Sequence, residues 1–257
     1  METMDYLNDY YGQYDEDGRL NRNRRGELEY LTTMGNLKPG NRVLEGGAGT
    51  GRYSLTFAEL GAEVTAVEPV AHNLEILRGK IVPGQNVTAL KGAAENLSML
   101  ESDSYDMTLL LGPMYHLATE EQRMQAMAEA IRVTKPGGVI MAAYCIAEGS
   151  ILKYGFGQHN IAQLIGSGQL SSRDFAFRNQ QEDVFMMLRK ADIDRMMRGF
   201  PAQRLHYVAT DGPAYLMQDV LEHLSEEEFQ LYLAYHLTVC ENADLVGATG
   251  HSLDVLR

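Results

Sequence analysis

From residue 42 to residue 146, short apolar runs alternate with stretches in which apolar residues recur at helical spacing. Residues 42–45, 63–67, 87–91, 106–111 and 139–146 read as five strands, each a short aliphatic run between turn residues. The run at 106–111 is apolar apart from Asp106 and Thr108 and does not alternate, as expected of a strand covered on both faces. Residues 53–60, 70–80 and 120–133 read as helices. Gly61 stops the first, and Lys135-Pro-Gly-Gly138 is a turn after the third. Strands alternating with helices in this way predict an α/β protein: a doubly wound, Rossmann-like, mostly parallel sheet of seven strands with helical cap insertions.

Beyond residue 146 the pattern loosens. Gly149, Gly155, Gly157, Gly166 and Gly168 punctuate apolar clusters, which predicts short helices and loops. A helix over 191–198, a sixth strand over 202–210 and a last strand over 252–256 follow, with a helical stretch at 211–246 whose Ser225-Glu-Glu-Glu228 is a capping sequence. The expected organisation is N-terminal lid helices at 1–41, a ligand-binding core at 42–146, a cap insertion at 147–190, and the end of the sheet at 191–257 interrupted by the 211–246 insertion. Both insertions would sit above the carboxyl edge of the sheet, where doubly wound folds bind ligands.

The most informative stretch is Val43-Leu-Glu45-Gly46-Gly47-Ala48-Gly49-Thr50-Gly51-Arg52-Tyr53, a strand running through a glycine-rich turn into a helix. Glycines permit positive φ and close approach of a ligand to the backbone, and the helix start presents N–H groups that lack partners within the helix. A dinucleotide fingerprint would need a third glycine where Arg52 stands, and no Gly-Lys-Ser/Thr triplet marks a P-loop. Glu68 closes the second strand about twenty residues after the loop. A carboxylate there can accept both hydrogen bonds of a ribose cis-diol, in a nicotinamide protein as much as any other.

The acid-x-Gly-x-Gly-x-Gly pattern from Glu45 resembles the first motif of the class I S-adenosylmethionine-dependent methyltransferases. Lys91-Gly-Ala-Ala-Glu-Asn-Leu97, Tyr105-Asp106 through Leu111-Gly-Pro-Met-Tyr-His-Leu117, and Val133-Thr-Lys-Pro-Gly-Gly138 resemble its later blocks in order and spacing. Ala93 stands where that family usually has an acid. Tyr10-Tyr11, Tyr14-Asp15 and Gly18-Arg19-Leu20 resemble the lid of small-molecule methyltransferases of the ubiquinone and menaquinone group. The resemblance implies S-adenosyl-L-methionine as cofactor. Glu45 would orient its methionine part, Gly46, Gly47, Ala48, Gly49 and Gly51 would lie against it, and Glu68 and Pro69 would meet its ribose. Ala94, Glu95, Leu111 and Gly112 would complete the donor site, and Arg19 or Arg24 would pair with the donor carboxylate.

Methyl transfer from a sulfonium is an in-line displacement, so positioning and exclusion of water matter most. A base is needed only if the acceptor sheds its proton. His116, just past the fourth strand, is the candidate base or else a structural histidine. Tyr115 and Tyr11 would line the methyl pocket or simply pack. His159, His206, His223 and His236 read as structural. Met186, Met187, Met196 and Met197 would form either an adaptable acceptor pocket or ordinary core.

Composition narrows the partners. A net charge of −13 repels phosphate backbones, so no nucleic acid is expected, the basic run Arg19–Arg25 reading as a solvated turn. Cys145 and Cys240 are too far apart in sequence for a metal-type pair and suggest a reducing compartment. No His/Cys/Asp set has ligand spacing, so no metal is expected. No secretory pattern opens the sequence and no stretch reaches the roughly 20 apolar residues of a membrane span, which predicts a cytoplasmic protein. The expected activity is transfer of a methyl group to a small-molecule acceptor, the alternative being a catalytically silent donor-binding sensor or assembly protein.

Overall fold

A computed structural model describes residues 7, 9–14, 23–35, 42–180 and 183–257. Its centre is a sheet of order β3-β2-β1-β4-β5-β8-β7. The strands are β1 (Arg42–Gly46), β2 (Glu63–Glu68), β3 (Val87–Lys91), β4 (Tyr105–Leu110), β5 (Thr134–Ile146), β6 (Met187–Leu188), β7 (Arg204–Ala209) and β8 (His251–Leu256). β1 to β5 run parallel, β8 is antiparallel to both its neighbours, and the short β6 extends the edge of β5 at Cys145 and Ile146. The order reverses between β1 and β4, which opens a crevice at their carboxyl ends.

Around the sheet lie α1 (Arg24–Gly35), α2 (Arg52–Glu59), α3 (Ala71–Lys80), α4 (Glu120–Val133), α5 (Ala147–Ser150), α6 (Ile161–Gly166), α7 (Lys190–Met197), α8 (Gln218–His223) and α9 (Glu226–Val239). A π-helical stretch, Ile151–Gly157, continues α5. The caps follow from sequence. Thr119 and Gln122 form a capping box on α4, and Ser225 and Glu228 another on α9, each pair satisfying two N–H groups that the helix cannot. Among the described residues no helix is long and apolar enough to cross a membrane.

The central strands β1, β4 and β8 are buried on both faces. Leu110, Ile140 and Tyr144 point into a cluster with Met127, Ile193, Met196 and Met197, while Leu109 and Met141 point into another with Phe57, Val208 and Leu253. Burying Leu109 and Leu110 contributes roughly 2 kcal/mol each. Met196 and Met197 are thus core.

One expectation is corrected. Lys135-Pro-Gly-Gly138 does not separate α4 from the fifth strand but lies within β5. Tyr105 pairs with Thr134 and Met107 with Val139, so these four residues bulge out of the ladder. Gly137 takes φ +81° at the bulge, a conformation glycine adopts without strain. Lys135 Nζ, 2.6 Å from Asp106 Oδ1, ties the bulge to β4.

Candidate functional site

The loop after β1 is braced from beneath. The N–H groups of Gly47 and Ala48 donate to Val67 O of β2 at 2.8 and 3.1 Å. Gly47 has φ +73°, and a Cβ there would sit 2.7 Å from the Pro113 ring; only glycine lets this loop and the one after β4 close on each other. Glu68, buried at the end of β2, accepts from Gly49 N at 2.7 Å through one oxygen and from Val70 N at 2.8 Å through the other. The carboxylate therefore holds the shape of the loop as well as facing the crevice.

The crevice is a cleft of about 940 Å³. Glu45, Gly47, Ala48, Gly49, Glu68, Pro69, Ala94, Glu95, Leu111, Gly112, Tyr11, Tyr115 and His116 all line it, from segments spread over more than a hundred residues. Gly46 and Gly51 stand behind the wall. A Cβ on Gly46 would meet Leu110 Cδ2 at 3.1 Å, and one on Gly51 would meet Leu77 Cδ1 at 2.2 Å; both glycines serve packing. Arg19 lies outside the described residues. Arg24 is engaged elsewhere, donating to the carbonyls of Leu221 and Leu224 at 3.1 and 2.6 Å, where it caps the end of α8. Arg52, Thr50, Asn73 and Pro113 line the cleft without having been singled out as ligands. Arg52 and Asn73 follow closely on the glycine loop and on Glu68, and that proximity is the signal that could have found them.

Two further buried side chains, Glu45 and Asn73, give the cleft its character. Glu45 is buried and accepts from Ser54 Oγ at 2.5 Å. Burial pushes its carboxyl up to about 8, the Ser54 hydrogen bond opposes this, and the charge of Glu68 adds to it. Asn73 is buried as well, and among the described residues its Oδ1 has no hydrogen-bond partner. An acceptor in that state leaves a desolvation cost that a ligand donor would offset.

At the other end of the cleft stands His116. Its Nδ1 lies 2.7 Å from Val184 O. A carbonyl only accepts, so Nδ1 carries the proton and in the neutral ring Nε2 holds the lone pair. Tyr11 Oη lies 2.8 Å from Nε2 and donates to it. Around this pair, Tyr115 and Phe185 set their rings 4.7 and 5.2 Å from the imidazole, and Tyr10 meets Phe185 at 5.7 Å. Val184 and Phe185 were invisible to motif reasoning. His206 pairs with Glu241, His223 bonds Asp219 O, and His236 is buried away from the cleft.

A second polar cluster lies between α1 and β8. Asp211 is wholly buried; one oxygen accepts from Thr249 Oγ1, Gly250 N and His251 N, and the other faces Arg25 Nη1 at 3.1 Å and His251 Nδ1 at 3.3 Å. Glu29 Oε2 is 3.5 Å from His251 Nδ1. Burial would raise the Asp211 carboxyl, but His251, Arg25 and Thr249 overcome it and hold the group well below the usual carboxylate range. Burial likewise opposes the charge on His251, yet Glu29, Cys145 and Asp211 hold it well above the ordinary imidazole range. Glu29, Asp211 and His251 offer ligand-type atoms within 4.8 Å of one another, a grouping that spacing along the chain could not reveal; Arg25 supplies the positive charge beside it.

Proteins similar to this chain include methyltransferases. A family described as "Methyltransferase domain" matches residues 43–138. A malonyl-[acyl-carrier protein] O-methyltransferase of Serratia marcescens is 28% identical over 206 residues, 76% of this chain and 76% of its own. A demethylmenaquinone methyltransferase of Renibacterium salmoninarum is 31% identical over 105 residues, 41% of each chain. Among solved structures, an S-adenosylmethionine-dependent methyltransferase of Thermotoga maritima superimposes with a TM-score of 0.57 at 17% identity, over 99% of this chain and 98% of its own. At that identity the likeness speaks for the fold.

Proposed function

We propose that this chain, which has the fold and the domain of the class I S-adenosylmethionine-dependent methyltransferases and takes S-adenosylmethionine as its cofactor, transfers the methyl group to a small-molecule acceptor. The residues of the cleft suit that cofactor. Glu45 is a buried carboxyl short of positive charge, which the ammonium of the methionine part would supply. Glu68 stands at the strand end where a ribose diol can reach it, Asn73 Oδ1 has no donor among the described residues, and Arg52 on the cleft wall suits a carboxylate.

The observation that carries the reading is the chain of contacts from Tyr11 through His116 to Val184 O in the cleft wall. When bound, the cofactor supplies an electrophilic methyl group and departs as a neutral thioether, which calls for no acid. What the protein must do is align the acceptor, exclude water and, for an acceptor that sheds a proton, take it up. Tyr11 Oη can receive that proton as its own moves to His116 Nε2. The imidazolium so formed keeps its Nδ1–H on Val184 O, which fixes the ring and stabilises its charge. Tyr115 and Phe185 close the space around the ring against solvent.

The test is formation of S-adenosylhomocysteine by the full chain with a panel of small hydroxyl and amine acceptors. His116→Gln and Tyr11→Phe should each lower kcat by roughly a hundredfold, with a much smaller effect on S-adenosylhomocysteine affinity. Tight S-adenosylhomocysteine binding without turnover of any acceptor would instead favour a silent donor-binding protein.

A further inference from the structure

Behind His116 a second cavity, of about 850 Å³, opens beneath the π-helical stretch and α6. It meets the donor side at Val184 and Phe185, which line it. Val184 reaches His116 through its carbonyl, and the Phe185 ring stands 5.2 Å from His116 and 6.1 Å from Tyr115. Tyr154, Leu164, Phe177 and Tyr215 form much of the remaining wall.

The polar side chains of this cavity are committed to the protein. Asn179 spends its amide on the backbone of Met187, accepting at 3.0 Å and donating at 3.1 Å. Asp183 accepts from Gln169 Nε2 at 3.1 Å through one oxygen and from Gln180 N at 2.8 Å through the other. Ser150 Oγ faces Met187 Sδ at 3.2 Å. What the walls offer a ligand is mainly aromatic and aliphatic area with the Asp183 carboxylate beside it, and an anionic group placed among them would lose its hydration without compensation. Tyr154, on the π-helical stretch, lines the cavity and is 47% exposed, which places it at the mouth.

We propose that this cavity binds the body of the methyl acceptor, and that this body is a ring system without negative charge carrying one nucleophilic oxygen or nitrogen. The proposal rests on the methyl-transfer reading and gives it a substrate class. The ring occupies the space bounded by Phe177, Phe185 and Tyr215, and the nucleophile passes Phe185 to reach Tyr11 and the donor.

The experiment is a fluorescence titration of the full chain, saturated with S-adenosylhomocysteine, using the neutral apolar probe N-phenyl-1-naphthylamine. The wild-type chain should show one saturable site. Tyr154→Glu, which sets a charge at the half-exposed mouth, should weaken it by about tenfold. Leu164→Trp, which fills the interior, should weaken it at least as much, and calorimetry should find S-adenosylhomocysteine affinity unchanged in Tyr154→Glu. 2-Naphthol should displace the probe at about tenfold lower concentration than 6-hydroxy-2-naphthoate, whose carboxylate must be desolvated. Failure of the wild-type chain to bind S-adenosylhomocysteine sinks the methyl-transfer reading and this proposal with it. Intact S-adenosylhomocysteine binding overturns the cavity assignment alone if no saturable probe site exists, if probe affinity is unmoved in Tyr154→Glu, or if both naphthols displace equally.

Discussion

If Glu45 meets the donor's ammonium as proposed, donor binding should release a proton. The side chain is buried, and with its carboxyl pushed up to about 8 only about a tenth is ionised at pH 7 without ligand. The sign follows from which form each state prefers. Without ligand the folded chain retains a proton that the unfolded chain sheds, so this group lowers folding stability as pH rises from 4.5 toward 8. A ligand ammonium beside Glu45 favours the ionised form, so affinity rises with pH over the same window. Between pH 6 and pH 8 the ionised fraction grows from about 1% to about half, and S-adenosylhomocysteine should bind roughly 50-fold more tightly at the upper end. The assay is calorimetry in buffers of different ionisation heat, which should show release of about 0.9 proton at pH 7. Glu45→Gln cannot titrate; it should bind more weakly at pH 8 and lose the slope. No proton release in the wild-type chain, or an unchanged slope in the variant, would refute the reasoning.

Three further outcomes follow from other parts of the structure. Asp211→Asn removes the charge that Arg25 and His251 face and should cost about 3 kcal/mol, a fall in melting temperature of roughly 6–12 °C; a change under 2 °C by scanning calorimetry would contradict a structural role for the cluster. Because the Asp211 carboxyl is held low, its contribution is present above the usual carboxylate range and is lost as pH falls below it, a pH dependence the Asn variant should lack. Gly49→Val forces a β-branched residue to φ +55° beside the N–H that holds Glu68, and donor binding should drop by roughly tenfold to a hundredfold, the equivalent of 1–3 kcal/mol of backbone strain, with circular dichroism preserved. Arg52→Ala should weaken S-adenosylhomocysteine binding by roughly tenfold and flatten its salt dependence; unchanged affinity would mean the guanidinium, 4.4 Å from the Tyr30 ring, serves only packing.

What the sequence disclosed is what depends on neighbours along the chain. Helix Glu120–Val133 and strand Val87–Lys91 fall where periodicity puts them, and Glu45, Gly47, Ala48, Gly49, Glu68, Pro69, Ala94, Glu95, Leu111 and Gly112 line one cleft because they lie at or just past the ends of β1 to β4 in the same sheet. Prolines and glycines misled at Lys135–Gly138, where a turn signal proved to be a bulge inside a continuing strand. The π-helical stretch and the two-residue β6 carry no pattern of their own. Nor could local reading find Val184, whose carbonyl fixes the tautomer of a histidine 68 positions earlier, or the meeting of Arg25 and Glu29 with Asp211 and His251. Such contacts are made by topology, and a contact between distant residues leaves no periodic trace.

The salt-bridged joint between α1 and the β8 end has a consequence for how the molecule is assembled during synthesis. Arg25 leaves the ribosome well ahead of Asp211, which is 186 positions behind it, and β8 is later still. The first helix must wait, its charges solvated, until nearly the whole sheet has been made. Such long-range closure comes late, so a nascent chain can shape the glycine loop well before this joint locks, and a ribosome stalled short of residue 211 would hold a chain that cannot form the joint.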